Sequence, residues 1–181
     1  MKTLCLIMLM MLMGVAGCSP HSVDQYAAQG PSLKLETFFT GPLTAHGIVT
    51  NRAGEVTERF SVRMQGTWQG DNGRLEEWFT FADGRKQHRT WWLQRLGDVH
   101  YSGRADDVLN EATGRSRGFA MNWHYTMNLK LADGDAVNVT FDDWMFLLDE
   151  QRLINRATIS KFGFRVGEVL LYIEQDAPAP H

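Results

Sequence analysis

Past residue 18 the sequence holds no cysteine; its two are Cys5 and Cys18. A domain built from the remainder has no disulfide, no reactive thiol and no thiolate metal site, so its stability must come from its core. Strong charge of either sign is also missing. Eighteen Lys and Arg stand against 21 Asp and Glu, a formal net charge of −3. That balance leaves no electrostatic footprint for nucleic acid, and none is expected as a partner. Repeats, low-complexity blocks and a second long apolar run are absent. His46, His88, His100 and His124 fall on different predicted strands, without His-x-His or His-Glu-x-x-His spacing, so no metal is expected. Ser61, Ser102, Ser116 and Ser160 lack the Gly-x-Ser-x-Gly elbow of a hydrolase. No glycine loop leads into Lys-Ser or Lys-Thr to cradle a phosphate. No catalytic residue and no cofactor are assigned from these patterns.

What is present begins at the N-terminus. Lys2 is the only charge before residue 24, and an apolar run from Leu4 to Val15 follows it. The run is too short for an ordinary spanning helix of ~20 residues. A basic start, an apolar core and then small residues make a signal peptide. The run ends in Val15-Ala16-Gly17-Cys18, which resembles the lipobox of bacterial lipoproteins. Residues 1–17 are therefore expected to be a cleaved signal and Cys18 the lipid-modified N-terminus, anchoring the chain to a membrane. Ser19, rather than Asp, follows the cysteine. By the same resemblance this favours the inner leaflet of an outer membrane, with the domain facing the periplasm. Removing residues 1–17 from 181 leaves 164, enough for one domain, and removing Lys2 takes the formal charge from −3 to −4.

Residues 18–32 read as the lipidated cysteine and a polar tether, and 176–181 as a disordered tail. Between them, over 33–175, the signal is β. Phe60, Val62, Met64 and Trp68 alternate with Ser61, Arg63, Gln65 and Gln69. Met121, Trp123, Tyr125, Met127, Leu129 and Leu131 alternate with polar residues at period two, as do Val137, Val139 and Phe141. Asp83-Gly84 and Asp133-Gly134 mark hairpin turns, where both central residues need positive φ. The strands predicted are 33–40, 44–51, 55–69, 74–82, 85–95, 98–104, 115–131, 135–148, 151–164 and 167–175. The stretch 104–113 suits one helical turn capped by Asp106. About ten strands linked by hairpins give an all-β, up-and-down antiparallel meander. Closure into a barrel of about 8–10 strands removes its exposed edges. The polar faces are read as carrying Arg59, Arg63, Glu76, Arg89, Lys130 and Lys161 outward to water, unlike the lipid-facing surface of a pore.

Three further stretches carry a family resemblance: Phe38-Phe39-Thr40-Gly41 with Ala45-His46-Gly47, then Asn122-Trp123-His124-Tyr125, then Asp142-Asp143-Trp144-Met145-Phe146 with Asn155-Arg156. With the lipobox they resemble an uncharacterised family of short Gram-negative lipoproteins, DUF3833, over most of 33–175. The resemblance implies a lipocalin-like or calycin-like barrel and a fatty-acyl theme.

A barrel of this size has room for side chains plus one small ligand. Phe119, Trp123, Tyr125, Phe141 and Met145 are the candidate apolar contacts. Asp143 shares the inward phase of Phe141 and Met145, whereas Asp142 points the other way. A buried carboxylate needs a partner, and Arg156 or Arg165 is expected to supply it. Asp143, Asn155 and Arg156 complete the candidate ligand site as polar anchors. Trp91, Trp92, Trp123 and Trp144 are read as core and rim packing. Three functions fit. The first is a membrane-anchored barrel binding an acyl chain or other apolar ligand. The second is an enzyme acting on lipid, or its accessory, using residues such as His100, Asp143 and Arg156. The third is a purely structural envelope lipoprotein.

Overall fold

A computed structural model describes residues 21–130 and 135–176. The signal segment, Cys18, the Asp133-Gly134 turn and residues 177–181 lie outside the described residues. The chain forms α1 (Leu35–Phe38) and ten strands: β1 (Gly41–Asn51), β2 (Val56–Gln69), β3 (Asn72–Phe81), β4 (Lys86–Arg95), β5 (His100–Arg104), β6 (Ala112–Arg117), β7 (Ala120–Lys130), β8 (Ala136–Leu147), β9 (Arg152–Lys161) and β10 (Phe164–Gln175). Each pairs antiparallel with the next, and β10 pairs with β1 from Leu43↔Gln175 to Asn51↔Gly167. The sheet is a closed up-and-down barrel. No proline falls between Pro42 and Pro178, so every strand after Pro42 keeps its backbone donors.

The predicted alternation sets the faces. Met121, Trp123, Tyr125 and Met127 of β7 are buried, as are Val139, Phe141 and Asp143 of β8. Asp142 is exposed and accepts a hydrogen bond from Asn122 at 2.6 Å.

Several expectations are corrected. Residues 33–40 are not a strand. Leu35 and Phe38 sit three apart on the single turn α1, which with Leu33 and Phe39 closes one end of the barrel. Gly66 makes room for this plug: a Cβ there would lie 1.9 Å from the Phe39 carbonyl oxygen. Trp68 donates its indole N–H to the same oxygen at 3.1 Å. The run 115–131 breaks at Gly118, whose φ of 55° permits a turn between β6 and β7. The stretch 104–113 forms no helix.

Residues 21–32 are not a free tether. Val23 and Leu33 are buried, Arg115 makes a two-pronged ion pair with Asp24 at 2.6 and 2.7 Å, and the His21 ring stacks on Trp144 at 3.9 Å. This segment packs at the plugged end, where Leu33 donates to Gly118. It covers an outward aromatic patch of Phe119, Trp144 and Phe146, which sequence periodicity alone would leave to solvent.

The wall has one seam. β4 pairs with β5 only over Trp92–Arg95, and β6 meets β7 only over Ala120–His124. The halves of β4 and β7 away from the plug are therefore not joined through β5 and β6. Residues 105–111 cross that gap: Val108 bridges Met127, Leu109 donates to Thr126 and Asn128 donates to Asp107.

Candidate functional site

The barrel is hollow. A cavity of about 210 Å³ runs down its centre. Its floor is apolar and closed: Leu35 and Phe39 of the plug meet Met64, Leu75, Leu93 and Ile173, all buried. Its other end is open, between the hairpins that follow β1, β3 and β9. There Val49, Phe60, Phe79, Phe81, Leu129 and Val169 line the wall and are only half-buried. Between floor and mouth lies a belt of polar side chains: Glu77, Arg89, Tyr125, Asp143 and Asn155.

Strand phase explains who is in the belt. Leu75, Glu77, Phe79 and Phe81 alternate along β3, and Gln87, Arg89, Trp91 and Leu93 along β4; all eight face the cavity. Glu77 and Arg89 are direct cross-strand partners. Arg89, which the sequence places outward, faces the cavity instead. The signal was its phase with Trp91 and Leu93, outweighed by the usual preference of arginine for water. Asp107, from the segment that crosses the seam, could not be placed by any local pattern.

Arg89 holds this belt together. Its Nε and Nη2 lie 2.9 Å from Asp107 Oδ2, and Nη2 donates to Met127 Sδ at 3.5 Å. Its Nη1 lies 3.7 Å from Glu77 Oε2, too far for a hydrogen bond. Burial works against the guanidinium charge, but Glu77 and Asp107 outweigh it and raise the Arg89 pKa. Asp143, 7% exposed, accepts from Asn155 Nδ2 at 3.2 Å, and the Tyr125 hydroxyl lies close enough to favour its charge as well. Burial pushes its carboxyl up to about 6 against the pull of those donors and of Arg89. Glu77 is pushed up to about 7, again chiefly by burial, with Arg89 opposing and Asp107 and Asp143 adding to the rise. Tyr125 is raised well above its ordinary value by burial and by Asp143.

Of the eight candidate ligand contacts, Trp123, Tyr125, Phe141, Asp143, Met145 and Asn155 line the cavity. The Tyr125 and Phe141 rings stack at 5.0 Å, and Trp91 meets Tyr125 edge-on at 5.3 Å. Phe119 does not line it; at the β6–β7 turn it packs on Tyr26, 4.9 Å away. Arg156 does not either. Asn155 and Ala157 point inward, so the residue between them points out, and Arg156 is exposed on the outer wall. Arg165 is also exposed. The cation near Asp143 is therefore Arg89, not Arg156 or Arg165. His100 is exposed as well, so His100, Asp143 and Arg156 do not assemble into one site. Of the tryptophans, Trp91 and Trp123 line the cavity, Trp92 is exposed and Trp144 lies outside the barrel beneath His21. Among the described residues no cluster of His, Cys, Asp and Glu could hold a metal ion.

The family described as "Protein of unknown function (DUF3833)" matches residues 12–175 of this barrel-forming sequence. The chain belongs to the DUF3833 family. No curated protein matches it. Among solved structures, this DUF3833 barrel is similar to the S-type phycobiliprotein lyase CPES from Guillardia theta. The TM-score is 0.55 at 7% identity, covering 88% of this chain and 100% of that one. The redesigned β-barrel mFAP1, bound to DFHBI, matches with a TM-score of 0.41 at 10% identity, covering 79% of this chain and 100% of its own. At such identities the likeness to the lyase is one of fold.

Proposed function

We propose that this barrel binds one small, largely apolar ligand of the acyl-chain class, taken in through the open mouth. The observation that carries this is the hollow itself: an apolar floor, aromatic walls up to the mouth, and a belt of polar side chains across the middle. A barrel that served only as structure would gain by filling that space, because unfilled volume forfeits packing.

Size and energy bound the ligand. An engineered apolar cavity of ~150 Å³ takes up benzene. In proportion, about 210 Å³ suits about eight carbon atoms within the barrel, with any longer tail leaving through the mouth. Eight methylenes offer ~6 kcal/mol at ~0.8 each. Association entropy takes back at least ~4 kcal/mol. The remainder corresponds to an affinity no better than tens of millimolar, on the scale where ~4 kcal/mol is 1 mM. The belt must therefore contribute. Two hydrogen bonds to charged groups, at ~1.5–3 kcal/mol each, bring the affinity to between ~1 μM and a few hundred μM.

The same proposal includes the anchor. Acylation at Cys18 would leave at most ~11 Å of chain, three residues at ~3.6 Å each, before His21. Because residues 21–32 pack at the plugged end, that end would face the membrane and the mouth the periplasm. Mass spectrometry of small molecules extracted from the purified protein, with Trp fluorescence during titration by medium-chain amphiphiles, tests the binding. Bound apolar molecules or a saturable change support it. Neither, up to millimolar ligand, overturns it and leaves a structural role.

A further inference from the structure

The polar belt carries more acid than base. Glu77 on β3, Asp107 in the segment 105–111 and Asp143 on β8 surround one cation, Arg89 on β4. Tyr125 on β7 and Asn155 on β9 complete the belt without charge at neutral pH, and β1, β2 and β10 line the cavity with no charged residue at all. Arg89 is already committed, with Nε and Nη2 on Asp107 and Nη2 also on Met127 Sδ. Its Nη1 alone makes no hydrogen bond, and that nitrogen faces Glu77 at 3.7 Å, so an incoming carboxylate would have to share it with an acid already there.

The acids, by contrast, are under-supplied. Glu77 Oε2 and Asp107 Oδ1 are both buried and receive no hydrogen bond. An oxygen in that state bears its full desolvation penalty, and a donor delivered to it is correspondingly favourable. Glu77 lines the cavity, so a ligand reaches its carboxylate from inside; the charge is shared by both oxygens, and the broad terminal torsion of a glutamate lets them exchange places. A second carboxylate brought to the same depth would meet Glu77 and Asp143 in a dry environment, where like charges repel most strongly.

We infer that the cavity selects an amphiphile whose head group donates hydrogen bonds, a primary ammonium foremost, over one that ends in a carboxylate. This rests on the reading that the cavity binds a ligand at all. The head group sits at the depth of Glu77 and Asp143, and the tail lies toward the mouth against Phe60, Phe79 and Phe81. A free fatty acid, the simplest acyl ligand, is thereby disfavoured.

The test uses the purified protein and three eight-carbon probes, octylamine, 1-octanol and octanoate, titrated at pH 8 with Trp fluorescence and calorimetry. Octylamine is expected to bind about tenfold tighter than octanol, as a charge-assisted hydrogen bond exceeds a neutral one, and octanoate weakest. At pH 5, where the carboxyls of Glu77 and Asp143 are largely protonated, the advantage of octylamine over octanol should vanish. Glu77→Gln should lose the preference for octylamine over octanol at pH 8, the ratio of the two affinities being the readout. Asp143→Asn, on the facing wall, is the second variant and should halve the preference or more. Octanoate binding as tightly as octylamine, or an octylamine preference unchanged in both variants, overturns the inference while leaving ligand binding in place. No saturable binding of any of the three overturns both the inference and the function on which it rests.

Discussion

Replacing Glu77 by glutamine should stabilise this protein, and by an amount that depends on pH. The Glu77 carboxyl stands at about 7 in the folded chain against an ordinary 4.5, because burial disfavours its charge more than Arg89 favours it. A carboxyl with a raised folded pKa holds its proton better in the native state than when unfolded. Its contribution is therefore fully present below about pH 4.5 and is lost as pH rises toward 7. At about 1.4 kcal/mol per pH unit, the charged form at pH 8 costs about 3 kcal/mol. Glutamine keeps the shape and never ionises. Arg89 retains its 2.9 Å pair with Asp107, so the substitution does not strand a cation. Urea denaturation of wild type and Glu77→Gln should give matching midpoints near pH 4.5. At pH 8 the variant's midpoint should be higher by about 1–3 M, given a urea slope of ~1–3 kcal/mol per M. Asp143, raised to about 6, titrates in both proteins, and losing the Glu77 charge eases its ionisation, which adds to the variant's advantage at pH 8. A variant less stable than wild type at pH 8, or one displaced equally at both pH values, would refute the claim that Glu77 buries an under-compensated charge.

Arg89→Leu should cost ~3–5 kcal/mol, because it leaves Glu77 and Asp107 buried without their cation, whereas Arg156→Ala on the outer wall should cost under ~0.5 kcal/mol; thermal or urea melts of the pair check the contrast. Phe38→Ala should cost ~3–5 kcal/mol by leaving a void in the plug, read as a lower urea midpoint. Cys18→Ser should abolish metabolic labelling with an acyl analogue; labelling equal to wild type would rule out acylation at that residue.

Period-two alternation told the two faces of β7 and β8 apart from sequence alone. It put Trp123, Tyr125, Phe141 and Asp143 inside together and Asp142 outside, because successive strand residues must point to opposite faces whatever the register. The same rule forbids Asn155 and Arg156 from sharing a site, and it turns Glu77 and Arg89 inward with Phe79 and Trp91. Long hairpin-linked strands with no protected edge also dictated closure. What the alternation could not decide were the features set by segments distant in the chain. The plug needs Phe39 to find Gly66. The covering of Trp144 needs His21 to fold back on it. Arg89 needs Asp107, eighteen residues further on, to cross the seam between β4 and β7. Whether inward side chains fill a barrel or leave a hollow depends on how all ten strands stagger against one another. That is a sum over non-local pairings which no single stretch of sequence encodes.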